Sequence, residues 1–397
     1  MRAALAFTAA LAGLALFAAS ARSEPHVPET AGEASGKLSD MADDLQRMQI
    51  RMGQGDKAAY PEVVRQLRAM AVAVAAAPAE TWRSKREADS LVIYILSGGA
   101  LTDVPPILRS DAFVESERPL ARAAFAYITN HETDALELLR ALNIEALDVR
   151  LAGQIAFAHS LLETRHDPAA AAALLDRARL VAPGTLVEEA ALRREIGLLA
   201  DAHDAARAAT LTRQYAERFP ASLYAADFFR DLARRIARQG LADDPANYQG
   251  FAAAAQALAP DDRRAFFLAL ARAAAINARF DAAAAAAADA LRGAAPGGVD
   301  EARAHLYEDA GRLFAPDQYE AARADLAALA AAKLDRADAG LLASVRAVAA
   351  QLRTAPAAGA IEAQSDALAK DKSGAGATLD LAQAALQRTA GLVDGVQ

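Results

Sequence analysis

Apolar residues recur along most of this chain at three- and four-residue spacing, the signature of amphipathic helices. Met41, Leu45, Met48 and Met52 make the first such stripe. Ser39 stands where an N-cap belongs, with acids behind it, and Gly53 and Gly55 end the run. A second helix is predicted from about Ala58 to Ala77, with Leu67, Met70 and Val74 on one face and Pro78 at its end. A third is predicted from near Thr81 to Leu96. Its last six residues, Leu91 to Leu96, are also the best strand signal in the chain. Gly98-Gly99 breaks it, and Pro105-Pro106 reads as loop. Trp82, the single tryptophan, reads as a packing anchor between the second and third helices.

The clearest organisation lies between Pro168 and Pro220. An Ala-rich helix from Pro168 closes at Pro183, a second spans Gly184 to Leu199, and a copy of the first runs from Ala205 to Pro220. The opening turn supplies Asp167 as N-cap and proline at the first helical position. Spans of the same length close at Pro260 and Pro296, so the closing prolines stand 37, 40 and 36 positions apart. Tetratricopeptide repeats recur at ~34 residues and HEAT repeats at ~40 or above. Leu120–Ile128 pairs with 132–142, 146–164 opens the next pair, and 299–314, 317–332 and 337–353 continue the series. One pair cannot bury its own apolar face, whereas stacked pairs bury a continuous one. The expected fold is therefore all-α, a right-handed α-solenoid of degenerate tetratricopeptide-like helix pairs. Small residues such as Ala171 and Ala208 suit close approach within a pair, and Leu175, Leu211, Tyr215 and Phe219 fill the space between repeats.

Both ends differ from this middle. Arg2, the apolar stretch from Ala3 to Ala18 and Ala19-Ser20-Ala21 read as a cleaved signal peptide within residues 1–23, cut after Ala21 or Ser23. Residues 24–38 read as a disordered leader, 39–118 as an N-terminal helical region, 119–353 as the repeat array and 354–397 as a flexible Ala/Gly-rich tail. No later stretch is apolar for long enough to span a bilayer. The expected product is periplasmic, with no transmembrane segment after signal cleavage.

Composition narrows the chemistry. Hydrophobic residues make up 54% but aromatics only 6%, so alanine and leucine must build the core. There is no cysteine, which excludes disulfides, thiolate metal sites and thiol nucleophiles. The net charge is −8, and −10 without Arg2 and Arg22, which argues against nucleic acid as a partner. The six histidines show no metal-ligand spacing, and Ser97-Gly98-Gly99 lacks the Lys and Ser/Thr of a phosphate loop. Asp43-Asp44, Glu188-Glu189, Asp243-Asp244 and Asp261-Asp262 sit near predicted helix starts, where the dipole stabilises them. No catalytic residue, cofactor, metal or small-molecule substrate is expected. Arg193-Arg194 and Arg234-Arg235 make small basic spots, and the face carrying Glu188, Glu189, Arg193 and Arg194 is the candidate partner-binding surface.

Two stretches carry a resemblance. Residues 45–70, LQRMQIRMGQGDKAAYPEVVRQLRAM, resemble the N-terminal helices of the MotC motility proteins. Residues 176–196, DRARLVAPGTLVEEAALRREI, resemble that family's central segment more closely, and residues 215–233 and Ile93–Gly99 extend the likeness. The resemblance implies an exported, non-enzymatic protein of flagellar motility that acts on the periplasmic part of the stator protein MotB. The alternative from repeat physics alone is a periplasmic tetratricopeptide-like scaffold for another envelope complex.

Overall fold

A computed structural model describes residues 37–352. The signal, nearly all of the leader and the tail expected from the sequence lie outside the described residues. Within them every regular element is a helix: 17 α-helices with short 3-10 turns between, and no strand. The chain divides after Arg312 into two compact units.

The first unit opens with α1 (Leu38–Gly53), α2 (Ala59–Ala76), α3 (Lys85–Leu96), α4 (Val104–Arg109), α5 (Arg118–Ile128) and α6 (Glu132–Ala141). Ser39 does not cap α1 as the sequence suggested. The helix begins two residues earlier than a Ser39 cap would place it, at Leu38, and Lys37 at the cap position makes no side-chain capping bond. Instead the Ser39 backbone N–H and hydroxyl donate to the carboxylate of Glu87 on α3, at 3.0 and 2.8 Å. A distant acid thus satisfies an orphan donor that a local cap would have taken. The stretch Leu91–Leu96 is helical, and its residues are all buried. Full burial explains why the apolar run looked like a strand. Pro105 and Pro106 lie inside the first turn of α4, where proline has no donor to lose. Trp82 is buried in the core with α1 to α3, and its carbonyl accepts from Val114 N–H at 2.9 Å.

Gly98 turns the chain with φ +90°, as an αL position after a helix requires. At Gly99 a Cβ would lie 2.3 Å from the ring of buried Tyr94, whose hydroxyl accepts from Ala100 N–H at 2.7 Å. The two glycines of this motif are therefore a turn and a packing surface.

The rest of the first unit is α7 (Val149–Glu163), α8 (Pro168–Val181), α9 (Leu186–Asp201), α10 (Ala205–Arg218), α11 (Ala225–Gln239), α12 (Pro245–Ala255), α13 (Pro260–Ile276), α14 (Phe280–Leu291) and α15 (Val299–Arg312). Consecutive members of the set α7, α9, α11, α13, α15 touch one another. Helix α8 packs on α7 and α9, α10 on α9, α12 on α10, and α14 on α13 and α15. The four proline-bounded spans fall on α8, α10, α12 and α14. Pro260, though, begins α13 at its first turn, with α12 ending at Ala255. Asp167 caps α8, accepting from Ala169 and Ala170 N–H at 3.0 and 2.9 Å.

Two kinds of core hold this set together. Helix α14 buries Ala282, Ala283, Ala286, Ala287 and Ala290 along one face, so its neighbours approach closely. Between α10, α11 and α13 the scarce aromatics gather: Tyr215 to Phe228 at 4.7 Å between centroids, Phe228 to Phe229 at 5.2 Å and Phe229 to Phe266 at 6.2 Å. Edge-on contacts of this kind add to area burial.

Helix α1 also reaches far along the chain. It packs on α9 as well as α2 and α3. Asp43 pairs with Arg86 and with Arg150, each at 2.9 Å, and Gln46 donates to the Arg150 carbonyl at 2.9 Å. The turn after α1 places Gly55, at φ +90°, where a Cβ would lie 2.3 Å from the Ala221 carbonyl oxygen.

The second unit holds α16 (Tyr319–Ala328) and α17 (Arg336–Leu352), which pack on each other. Tyr319 donates to the Ala349 carbonyl at 2.7 Å. Arg346 donates to the carbonyls of Leu326, Ala327 and Leu329, closing the C-terminal end of α16.

Candidate partner-binding site

Helix α9 begins after Gly184, which has φ +76°. Thr185 caps it, its hydroxyl accepting from Val187 and Glu188 N–H at 3.2 and 3.3 Å. Glu188 and Glu189 then fall in the first turn, where the helix dipole favours them. They do not face solvent. Glu188 and Glu189 are only 2% and 1% exposed. The Glu188 carboxylate accepts from Arg218 at 2.7 Å and from Gly184 N–H. Glu189 accepts from the Tyr215 hydroxyl at 3.0 Å and from Ser222, and meets Arg193 at 3.6 Å. Arg193 in turn lies over the Tyr224 ring, 4.6 Å from its centroid. Arg194 is half-buried, and burial lowers its pKa, with the neighbouring Arg193 charge adding to the effect. The structure thus brings Glu188, Glu189 and Arg193 together, but turns them inward as a clamp between α9, α10 and the α10–α11 loop.

Two turns along, Glu195 is fully buried between Arg207 at 2.6 Å and Arg179 at 3.2 Å. Burial raises its pKa while the two guanidinium charges oppose that. A carboxylate held this way ties α9 to α8 and α10. Removing one partner would leave a buried charge uncompensated.

Two other groupings superficially resemble acid–base sites. Arg140 on α6 grips the Glu163 carboxylate with two bonds, at 2.6 and 2.8 Å, and holds its pKa down. His159 Nε2 lies 3.3 Å from the same carboxylate, and burial lowers its pKa. At the start of α3, Lys85 bridges Asp89 at 3.2 Å and Glu117 at 2.9 Å. Burial pushes Asp89 up to about 6, against the pull of Lys85. Each grouping joins two separate elements. Sequence reasoning missed both, because Glu117 and Arg140 are remote from their partners in the chain. The only local sign was the four-residue spacing of Lys85 and Asp89 and of His159 and Glu163. Among the described residues no cluster of three or more His, Asp or Glu could hold a metal ion.

The basic spots separate. Arg235 pairs with Asp201 on α9, whereas Arg234 pairs with Asp231 one turn back on its own helix and stays exposed.

The chain matches the family model described as chemotaxis protein MotC over residues 1–394. It belongs to the MotC family. A curated relative, the chemotaxis protein MotC of Rhizobium meliloti (strain 1021), is 29% identical over 192 residues. That match covers 48% of this chain and spans 44% of the relative's length. No solved structure matches the chain. Family membership makes this a chemotaxis- and motility-related protein, and among the described residues no helix is long and apolar enough to cross a membrane.

Proposed function

We infer that this protein is an exported, non-enzymatic component of flagellar motility. It works in the periplasm, binds the periplasmic part of the stator protein MotB, and supports rotation of the motor. The match to the chemotaxis protein MotC family along nearly the whole chain carries this reading. The signal-like start, Arg2 to Ala21, supports export.

The helix packing supports a binding role. We read helices α7 to α15, taken as successive pairs, as a right-handed α-solenoid of degenerate tetratricopeptide-like repeats, and such arrays offer extended surfaces to protein partners. The carboxylates that could do acid–base work are engaged in ties between helices, as Glu195 and Glu163 are.

The test is titration of the purified mature chain into the purified periplasmic part of MotB by calorimetry. Saturable binding is expected. No binding at high micromolar concentration would remove direct partnership and leave an envelope scaffold as the reading.

A further inference from the structure

A basic groove runs along α11 and α13. Arg230, Arg234 and Arg238 stand four residues apart on α11, so one stripe of its outer face carries all three. All three are exposed. Arg272 of α13 and Arg303 of α15 complete the walls of a groove of about 450 Å³. Five guanidinium groups on one groove stand out in a chain whose net charge is −8.

Three of these arginines already meet acids of their own helices. Arg230 pairs with Asp227 at 2.9 Å, and Arg234 with Asp231, each an exposed contact one turn back. Such pairs are weak and easily exchanged. Arg303 meets Asp300 at 3.6 Å. Arg238 has no ion-pair partner among the described residues.

The floor is apolar. Ala265, Ala269 and Ala273 line it, and Ile276, 54% exposed, stands at one end. At the other end Arg230 and Ala265 also border a small cleft of about 80 Å³, lined mostly by apolar residues including Pro220, Ala226, Phe229 and Phe266, and also by Asp262. Charged walls, a floor of small residues and an apolar notch suit a helix that is acidic on its flanks and apolar along one face. No aromatic side chain lines the 450 Å³ groove, so it lacks the stacking platform that single-stranded nucleic acid uses. Within the fold, Asp43 of α1 is likewise held between arginines of other helices, Arg86 of α3 and Arg150 of α7.

We propose that the α11–α13 groove is the docking site for an acidic amphipathic helix of a partner protein. The guanidinium row fixes its flank, and the small cleft beside Phe229 and Phe266 takes an apolar anchor. Resting on the motility reading, the same groove is the site that receives the periplasmic part of the stator protein. The docking site is thereby placed on α11 and α13, away from the inward-turned Glu188 and Glu189.

The test uses the full mature chain, the double variant R234E/R238E and its charge-keeping counterpart R234K/R238K. Fluorescence anisotropy would follow a labelled Glu-rich amphipathic helical peptide, a Lys-rich peptide of the same apolar pattern and a labelled single-stranded oligonucleotide. The Glu-rich peptide alone is expected to bind. Binding should weaken at least about tenfold in R234E/R238E, stay within about threefold in R234K/R238K, and fall with added salt. Both positions are exposed, so matching thermal melts would show that the variants fold. Equal binding of all three probes, or unchanged binding in R234E/R238E, would overturn the proposal. The same variants titrated with the MotB periplasmic part separate the two readings. Wild-type binding that survives R234E/R238E overturns the stator assignment to this groove. Absence of wild-type binding sinks the motility partnership, while the peptide result still decides the groove.

Discussion

Replacing Gly55 by alanine isolates the contact that folds the N-terminal helices back onto the middle of the chain. Gly55 has φ +90°, a conformation that costs an L-residue about 1–2 kcal/mol. The added Cβ would also stand 2.3 Å from the Ala221 carbonyl oxygen and 2.7 Å from the Ala221 Cβ. Both neighbours are backbone or one bond from it, so no flexible side chain can yield. The α1–α2 turn must move off the α10–α11 loop instead. Overpacking of this kind costs about 1–3 kcal/mol. Gly184 provides the matched control. Its φ is +76°, but nothing lies within 4 Å of a Cβ built there. Both substitutions lower unfolded-chain entropy equally, so that gain cancels in the comparison. Urea unfolding followed by circular dichroism should show Gly184→Ala destabilised by about 1 kcal/mol and Gly55→Ala by about 3 kcal/mol. Equal losses in the two variants would refute the docking of α1 and its turn against the loop.

Two further outcomes follow from buried polar groups. Tyr215→Phe removes a donor from the buried Glu189 carboxylate and should cost about 1–2 kcal/mol by denaturant unfolding. Added to Glu189→Gln it should cost clearly less, because the charge it served is gone. Asp89 has its pKa raised from 3.8 to about 6 by burial. Between those values the folded chain holds a proton that the unfolded chain has released, so this group makes stability fall as pH rises through the window. Wild type should therefore gain about 1 kcal/mol over Asp89→Asn on going from pH 7 to pH 5. A stability difference independent of pH would show that Asp89 titrates normally.

The helices were legible in the chain because alanine, leucine and three-to-four spacing agree locally over long stretches, as in α8 and α10. Caps that rest on neighbouring residues were legible too, as with Asp167. What escaped was set by contacts far apart in sequence. Ser39 looks like a cap, yet Glu87 is 48 positions away and claims its donors. Glu188 and Glu189 look like a charged surface at a helix start. They are buried because Arg218, Tyr215 and Ser222 come round from the next helix and loop to meet them. The arginine groove was hidden for the opposite reason. Arg234-Arg235 caught the eye as a pair, but helical geometry sends Arg235 to Asp201 on α9 and groups Arg234 with Arg230 and Arg238. Each proline-closed span does contain a helix, but its closing proline is not always a stop, since Pro260 starts α13.

The central claim is that this protein serves motor rotation, and a clean in-frame deletion tests it most directly. Deletion cells would be scored for filaments by electron microscopy and for swimming by tracking. Full-length filaments on cells that do not swim, with swimming restored by the intact gene, is the predicted result. Cells that swim normally without the protein would contradict it.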